Sequence, residues 1–218
     1  MNPVYDKFHG ERFNNKNLDS YLRDYFPNYS YKGVFIDVGA YEGINISNSY
    51  HFEKNGWKTL CIEANPLLIP ELKKVRENVY NYAVYDENKD EINFNAVKGI
   101  WGGGSQMAGV SAIELDPDYM KTFAGGIINI RQVKVKQIKL TDLLMTEIPE
   151  ISSVDIISID VEGGELKVLK GFDIEKYKPK IILVENFFKR SDISEYLANK
   201  NYVLDKQLDY NQIYIQKK

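Results

Sequence analysis

Carboxylates and glycines carry the chemistry this 218-residue chain offers, since it holds one cysteine, Cys61, and two histidines, His9 and His51. Asp37 stands two places before Gly39, and Gly39 to Gly43 spells Gly-x-x-x-Gly. An acid beside such a turn suits a ligand with an ammonium and a neutral nucleoside. Glu63 follows at about the 20-residue interval where an acid meets a ribose diol in two-strand nucleoside sites, and one carboxylate accepts from both hydroxyls. Farther on, Asp160-Val161-Glu162-Gly163-Gly164-Glu165 gathers three acids after an apolar run. Acids stay out of such places unless they have partners. The plainer readings are a tight strand-to-helix turn at Gly39 to Gly43 and an exposed glutamate at Glu63.

The elements that must position these residues follow from hydrophobic periodicity. Val34, Phe35, Ile36 and Val38 form a short apolar run broken by Asp37 and ended by Gly39, the pattern of a buried first strand turning toward a helix. Open α/β sheets bind ligands beyond the carboxyl ends of their strands, where the next helix offers free N–H groups. The spacing predicts a helix from Gly43 to about Asn55 and strand two over Trp57 to Ile62, which puts Glu63 at a strand end. Pro66 and Pro70 open the next helix, with Leu68, Leu72 and Val75 on one face and Lys73, Lys74, Arg76 and Glu77 on the other. Strand three is Val79 to Val84, an extra strand runs from Glu91 to Ala96, and Val133 to Ile138 alternates as a strand. Thr141 is expected to cap a brief helix. Val154 to Ile159 is apolar enough for the central strand four, Leu166, Leu169 and Phe172 start a helical face, and Ile181 to Val184 is strand five, ending in Glu185-Asn186. Ile193, Tyr196 and Leu197 mark the last helix, and Tyr202 to Leu204 with Gln212 to Ile215 close the sheet. Ahead of all this, Leu18, Tyr21, Leu22 and Tyr25 repeat at helical spacing behind Asn14 and Asn17, giving an N-terminal helical extension over 1–31 beside a main domain over 32–218. Its helix packs on the domain's edge or serves as a lid. Gly99 to Gly126 holds seven of the chain's fifteen glycines together with Trp101 and Ser105. A segment of that length and composition is expected to be a lid or binding loop on the acceptor side, or a surface excursion.

Composition narrows the classes. The 28 basic and 31 acidic residues give a net charge of -3, which offers no general attraction to a nucleic acid. A single cysteine rules out an internal disulfide or a four-thiolate zinc site, and Cys61, in an apolar run, is expected to be packed. Without an apolar leader core or a run of about 20 apolar residues, a cytoplasmic protein with no stable membrane insertion is expected.

Taken together, these stretches resemble the FkbM family of S-adenosylmethionine-dependent methyltransferases from about Val34 to Asn186. The resemblance rests on Phe35-Ile36-Asp37-Val38-Gly39-Ala40, Ile62-Glu63-Ala64-Asn65-Pro66, Asn81-Tyr82-Ala83-Val84, Gly103-Gly104-Ser105, and Ile159 to Glu165 with Val168-Leu169-Lys170-Gly171. It implies a Rossmann-like α/β fold, a doubly wound seven-stranded sheet whose last strand alone is antiparallel, and methyl transfer from S-adenosyl-L-methionine, usually to oxygen. By that pattern Asp37 and the turn Gly39, Ala40, Tyr41, Glu42 and Gly43 hold the methionine end, Glu63 and Ala64 the ribose side, and Asn81 to Ala83 the adenine. Tyr41-Glu42 replaces an Asn or His common before the second glycine, and Tyr85 replaces a small residue, changing the methionine contacts and the adenine edge.

Methyl transfer from a sulfonium asks for alignment and dryness, with orientation worth about 7 to 11 kcal/mol, and for a base when an alcohol is the acceptor. Asp160, at the end of strand four and also within reach of the cofactor, is the leading candidate, followed by Glu162 and Glu185. Asp160 or Glu162 can instead cap the following helix. A carbohydrate, glycan or natural-product hydroxyl is the expected acceptor. A nicotinamide-dependent oxidoreductase, lacking the required glycine spacing, and a noncatalytic module on the same fold are the alternatives. Asp160, Glu185 and Asn186 could converge as oxygen ligands of magnesium, but their glutamate shifts the ligand position, and catalysis that persists in chelator is expected.

Overall fold

Residues 3–100, 111–115, 120–121 and 127–217 are described by the computed structural model. Trp101, Gly103-Gly104-Ser105 and most of the Gly99 to Gly126 segment lie outside the described residues.

A short hairpin, β1 (Arg12–Phe13) and β2 (Lys16–Asn17), leads into α1 (Leu18–Asp24). Leu18 and Leu22 are buried with Phe35, Phe52, Trp57, Ile156 and Ile181, so α1 is a packing helix against the sheet. Asn17 stands at its N-cap but makes no side-chain cap bond; its amide donates to the Gly10 carbonyl instead.

The chain then alternates through β3 (Val34–Val38), α2 (Tyr50–Lys54), β4 (Lys58–Ile62), α3 (Ile69–Val75) and β5 (Val79–Tyr80). After β6 (Ala83–Tyr85), the long strands β7 (Lys89–Ile100) and β8 (Ile127–Lys139) follow. Next come α4 (Leu140–Glu147), β9 (Ile156–Ile159), α5 (Glu165–Lys170), α6 (Ile174–Tyr177), β10 (Ile181–Glu185) and α7 (Ser191–Asn199). The chain closes with β11 (Tyr202–Leu208) and β12 (Asn211–Gln216).

The seven-stranded sheet has the order β11-β12-β10-β9-β3-β4-β5. Strands β3, β4, β5, β9 and β10 pair in parallel, and β12 is antiparallel to both β10 and β11. This is the doubly wound sheet with an antiparallel last strand that the motifs imply. Its central strands are apolar on both faces because helices cover both: Phe35, Ile156, Ile181 and Ile213 face α1 and α2, while Ile36, Ile157, Ile182 and Tyr214 face the larger core with α4, α5 and α7. Reversal of strand order between β4 and β9, on either side of β3, opens the crevice where such sheets take ligands.

Four expectations are corrected. The helix foreseen from Gly43 is confined to Tyr50–Lys54, because positive φ at Tyr41, Gly43 and Ile46 keeps the connection coiled. Strand three divides at Asn81: β5 finishes the large sheet, while β6 joins β8 and β7 in a second, three-stranded sheet. Asn81 causes the break by turning its amide onto the carbonyls of Glu63 and Ala64, at 2.8 and 3.0 Å. Thr141 lies inside α4 rather than capping it; its hydroxyl donates to the Gly171 carbonyl and accepts from Asp173 N–H at 2.7 Å. Arg76, placed on a solvated face by its charge, is 4% exposed. Cys61 is buried as expected.

Candidate active site

The ends of four adjacent parallel strands place four acids along one rim: Asp37 in β3, Glu63 after β4, Asp160 after β9 and Glu185 ending β10. The turn after β3 is held close to its neighbours. A Cβ added at Gly39, where φ is +90°, would lie 1.7 Å from the Asp160 carbonyl oxygen, so only glycine fits where the two strand ends meet. Gly39 and Ala40 donate their N–H groups to the Ile62 carbonyl, and Gly43 donates to Ala40. The Tyr41 N–H goes to Glu63 Oε2 at 2.9 Å. These amides are therefore occupied, and no helix starts here to offer others. The N–H groups of Gly39, Ala40, Tyr41 and Gly43 are thus taken within the chain, against the expectation of free helix N–H groups at this turn.

Glu63 is 7% exposed and accepts from Tyr41 N–H and from Asn65 N–H, the latter at 2.7 Å. Burial raises its pKa to about 7 against the pull of those two donors. A carboxylate has about four acceptor positions, of which these two donors fill two. Asp37, also buried, accepts from Ser49 Oγ. Burial lifts it to about 6, with Arg76 and Ser49 acting in the opposite direction.

Arg76 went unrecognised in the sequence. Its guanidinium reaches Glu53 Oε2 at 2.9 Å, the Gly43 carbonyl at 2.9 Å, Ser47 Oγ at 3.2 Å and Ser49 Oγ at 2.8 Å. It thus ties the Gly39 to Gly43 turn to α2 and, through Ser49, orients Asp37. Two buried acids without a nearby lysine were the available signal, since buried charges need a partner.

Ala40 is buried against Cys61 and Leu72, and Glu42 accepts from the Tyr41 hydroxyl. Ala83 is buried with Phe94 and Val135, and Ala64 packs against that group. Tyr85 sits over Gly164, and its carbonyl would be 2.0 Å from a Cβ at Gly171, so it shapes the seat of α5.

The Asp160 to Glu165 loop and β10 converge at the next crevice. Carboxylate oxygens of Asp160, Glu162 and Glu185 lie within 4.8 Å of one another. Burial and the adjoining charges of Asp160 and Glu162 push Glu185 up to about 12, so it carries a proton. Asp160 is also raised by burial, and the hydrogen bond from Glu185 works against that. Both carboxyls are thus raised, Glu185 the further of the two, and the hydrogen bond between them runs from Glu185 to Asp160. Neither Asp160 nor Glu162 caps α5: Gly164 is the N-cap without a side-chain bond, and Glu165 takes the loop's N–H groups of Gly163 at 2.8 Å and Val161 at 3.3 Å. Asn186 turns away, bonded to Arg190 and Gln212. His51 is buried, with Nδ1 2.8 Å from the Lys7 carbonyl and its ring stacked on Phe8.

With this geometry in hand, the comparisons decide the family. The family described as Methyltransferase FkbM domain matches residues 37–205, well over half of the chain. The chain belongs to the FkbM methyltransferase family. No curated protein matches it. Among solved structures it is similar to precorrin-6y C5,15-methyltransferase from Geobacter metallireducens GS-15, at 13% identity and a TM-score of 0.42, covering 86% of this chain and 81% of that one. Membership in the FkbM family makes the chain a methyltransferase with a donor of the S-adenosylmethionine type, and it sets aside the nicotinamide alternative. No helix among the described residues is long and apolar enough to cross a membrane.

Proposed function

We propose that this FkbM methyltransferase transfers a methyl group from S-adenosyl-L-methionine to a hydroxyl of a sugar, glycan or natural-product acceptor. The observation that carries this reading is the convergence of the Asp160, Glu162 and Glu185 carboxylates, whose oxygens lie within 4.8 Å of one another, beside the acids of β3 and β4. The donor set fits the cofactor: two acceptor positions of Glu63 remain for a ribose diol, and Asp37 and Asp160 face a ligand that carries positive charge. When bound, the cofactor supplies a sulfonium methyl already activated for transfer.

The chain's own residues supply the rest. Glu63 receives the ribose hydroxyls, with Ala64, Asn81 and Ala83 along the adenine side, and the Gly39 to Gly43 turn with Tyr41 and Glu42 shapes the methionine end. Asp160 takes the proton of the acceptor hydroxyl as its oxygen bonds to carbon. Protonated Glu185 donates to Asp160, fixing its direction, and Glu162 keeps the local field negative. A positioned base of this kind contributes about 100-fold to 10,000-fold. Turnover without metal is the expected outcome, with the Asn186 amide engaged elsewhere; the Asp160, Glu162 and Glu185 carboxylates stand close enough to hold an ion, and the chelator arm of the test decides between the two.

The test is transfer of isotopically labelled methyl to a panel of hydroxyl acceptors in excess EDTA, with product mass and linkage read by spectrometry. Turnover should persist in chelator, fall by about 100-fold or more in Asp160→Asn, and leave the methyl on oxygen. Methyl on nitrogen or carbon, or full activity in Asp160→Asn, would sink the proposal.

A further inference from the structure

The segment before α1 crosses the open end of the sheet. Gly10 bridges to Ile46 in the connection after β3, and the next residue, Glu11, turns its side chain to the β11–β12 turn. There its carboxylate accepts from the Tyr210 hydroxyl and, at 3.3 Å, from the Asn211 amide. The strap is firmly seated: Leu18 N–H donates to the Glu11 carbonyl at 2.8 Å, and a Cβ at Gly10 would stand 2.7 Å from the Asp19 backbone nitrogen.

That turn adjoins the proposed base pair. Asn211 is the register partner of Glu185, and Asn186 N–H donates to the Tyr210 carbonyl at 2.7 Å. Phe187 and Phe13 approach the Tyr210 ring from two sides, with centroids 5.8 and 6.2 Å away. The Asp160 charge is near enough to help raise the pKa of Glu11, after burial. Glu11 uses both carboxylate oxygens, one for each donor, and holds them at a cost, since burial and the neighbouring charges of Asp160 and Asp209 disfavour its ionised form. Glu11 forms no ion pair among the described residues, and its two donors leave acceptor positions open.

We infer that Glu11 and Tyr210, with Phe13 and Phe187, form the acceptor wall of this enzyme, and that it takes a neutral polyhydroxylated ring. Such a ring has flat C–H faces that lie against aromatic side chains and a rim of O–H donors that carboxylates accept. The same acids repel an anionic sugar. Glu11, Phe13 and Tyr210 lie outside the 37–205 stretch common to the family, which suits a device for choosing the acceptor rather than for the shared chemistry. The inference rests on the hydroxyl-acceptor reading above and narrows it.

Saturation-transfer NMR on the full chain loaded with S-adenosylhomocysteine tests it, with methyl glucoside, methyl galactoside and methyl mannoside as neutral probes and glucuronate as the anionic one. Saturation should pass to ring C–H protons of at least one neutral glycoside and not to glucuronate. Glu11→Gln and, independently, Phe187→Leu should each weaken glycoside binding about tenfold or more, while S-adenosylhomocysteine affinity by calorimetry and the melting temperature stay put. Glycoside binding untouched by both variants, equal binding of glucuronate, no binding by any neutral glycoside, or joint loss of cofactor affinity overturns the wall. Labelled methyl transfer to a non-sugar alcohol separates the readings: if it proceeds while the glycosides fail, the hydroxyl chemistry stands and the wall falls.

Discussion

Glu63 holds the turn after β3 and, in the function proposed, receives the ribose as well. It clamps the Tyr41 and Asn65 amides and keeps acceptor capacity toward the crevice. Glu63→Ala should weaken S-adenosylhomocysteine binding by about 1.5 to 3 kcal/mol, the range for hydrogen bonds to a charged group; calorimetry on a folded variant with unchanged affinity would remove the ribose role. A pH signature accompanies it. Glu63 titrates near 7 without ligand, and diol hydroxyls favour its ionised form, so wild-type affinity should rise with pH up to about 7 and level off above, a slope that Glu63→Gln should flatten. Its position at a strand end was legible because a strand end and an interval to a glycine turn are local patterns. Arg76 was not, because its neighbours Lys73, Lys74 and Glu77 are exposed and only the extended φ of -126° at the helix end swings it inward. Glu11 and Tyr210 meet across nearly the whole chain, a contact with no signature in spacing.

At the scale of elements, the strands β3, β4, β9 and β10 were readable from continuous apolar runs, as parallel strands covered on both faces must be. The connections were less so. Gly43 to Ser49 reads Gly-Ile-Asn-Ile-Ser-Asn-Ser, residues of low helix propensity, and it is shaped further by a tertiary tie, the Arg76 bonds to Gly43, Ser47 and Ser49. The break at Asn81 likewise depends on carbonyls in another loop. Arg76 joins α3, α2 and the β3 turn, and it is a buried cation paired to Glu53. Removing one partner of a buried pair typically costs about 3 to 5 kcal/mol. Arg76→Met should therefore lower stability by that order in urea unfolding and should loosen the turn, reducing cofactor affinity as well. A stability loss below about 1 kcal/mol would show that solvent compensates for the missing guanidinium and that the turn holds itself.

For the whole molecule, the rim of acids sets the pH at which the unliganded fold is most stable. Asp37 is raised to about 6, and Glu63 and Glu165 to about 7, each chiefly by burial. Their unfolded values lie near 4, so the folded state binds these protons more tightly. The sign follows from linkage: their contribution is fully present below pH about 4 and is lost as pH rises through 6 to 7. A two-unit shift corresponds to about 2.7 kcal/mol for one group, and three groups make the effect large against ordinary domain stabilities. Glu185, pushed up to about 12, keeps its proton in the folded state while the unfolded chain loses it above about pH 4, so it adds to the same downward slope across this whole range. Exposed Asp192 and Asp205, lowered mainly by Arg190 and by Tyr25, act only on the acid side, where their small support fades as pH falls. The urea midpoint of the unliganded protein should thus decline between pH 5 and 8. Glu63→Gln should reduce that decline, and saturating S-adenosylhomocysteine should oppose it by binding the ionised form of Glu63. A midpoint that is flat or rises over this range in circular dichroism would mean that water reaches these carboxylates, and that the crevice is wetter than its geometry implies.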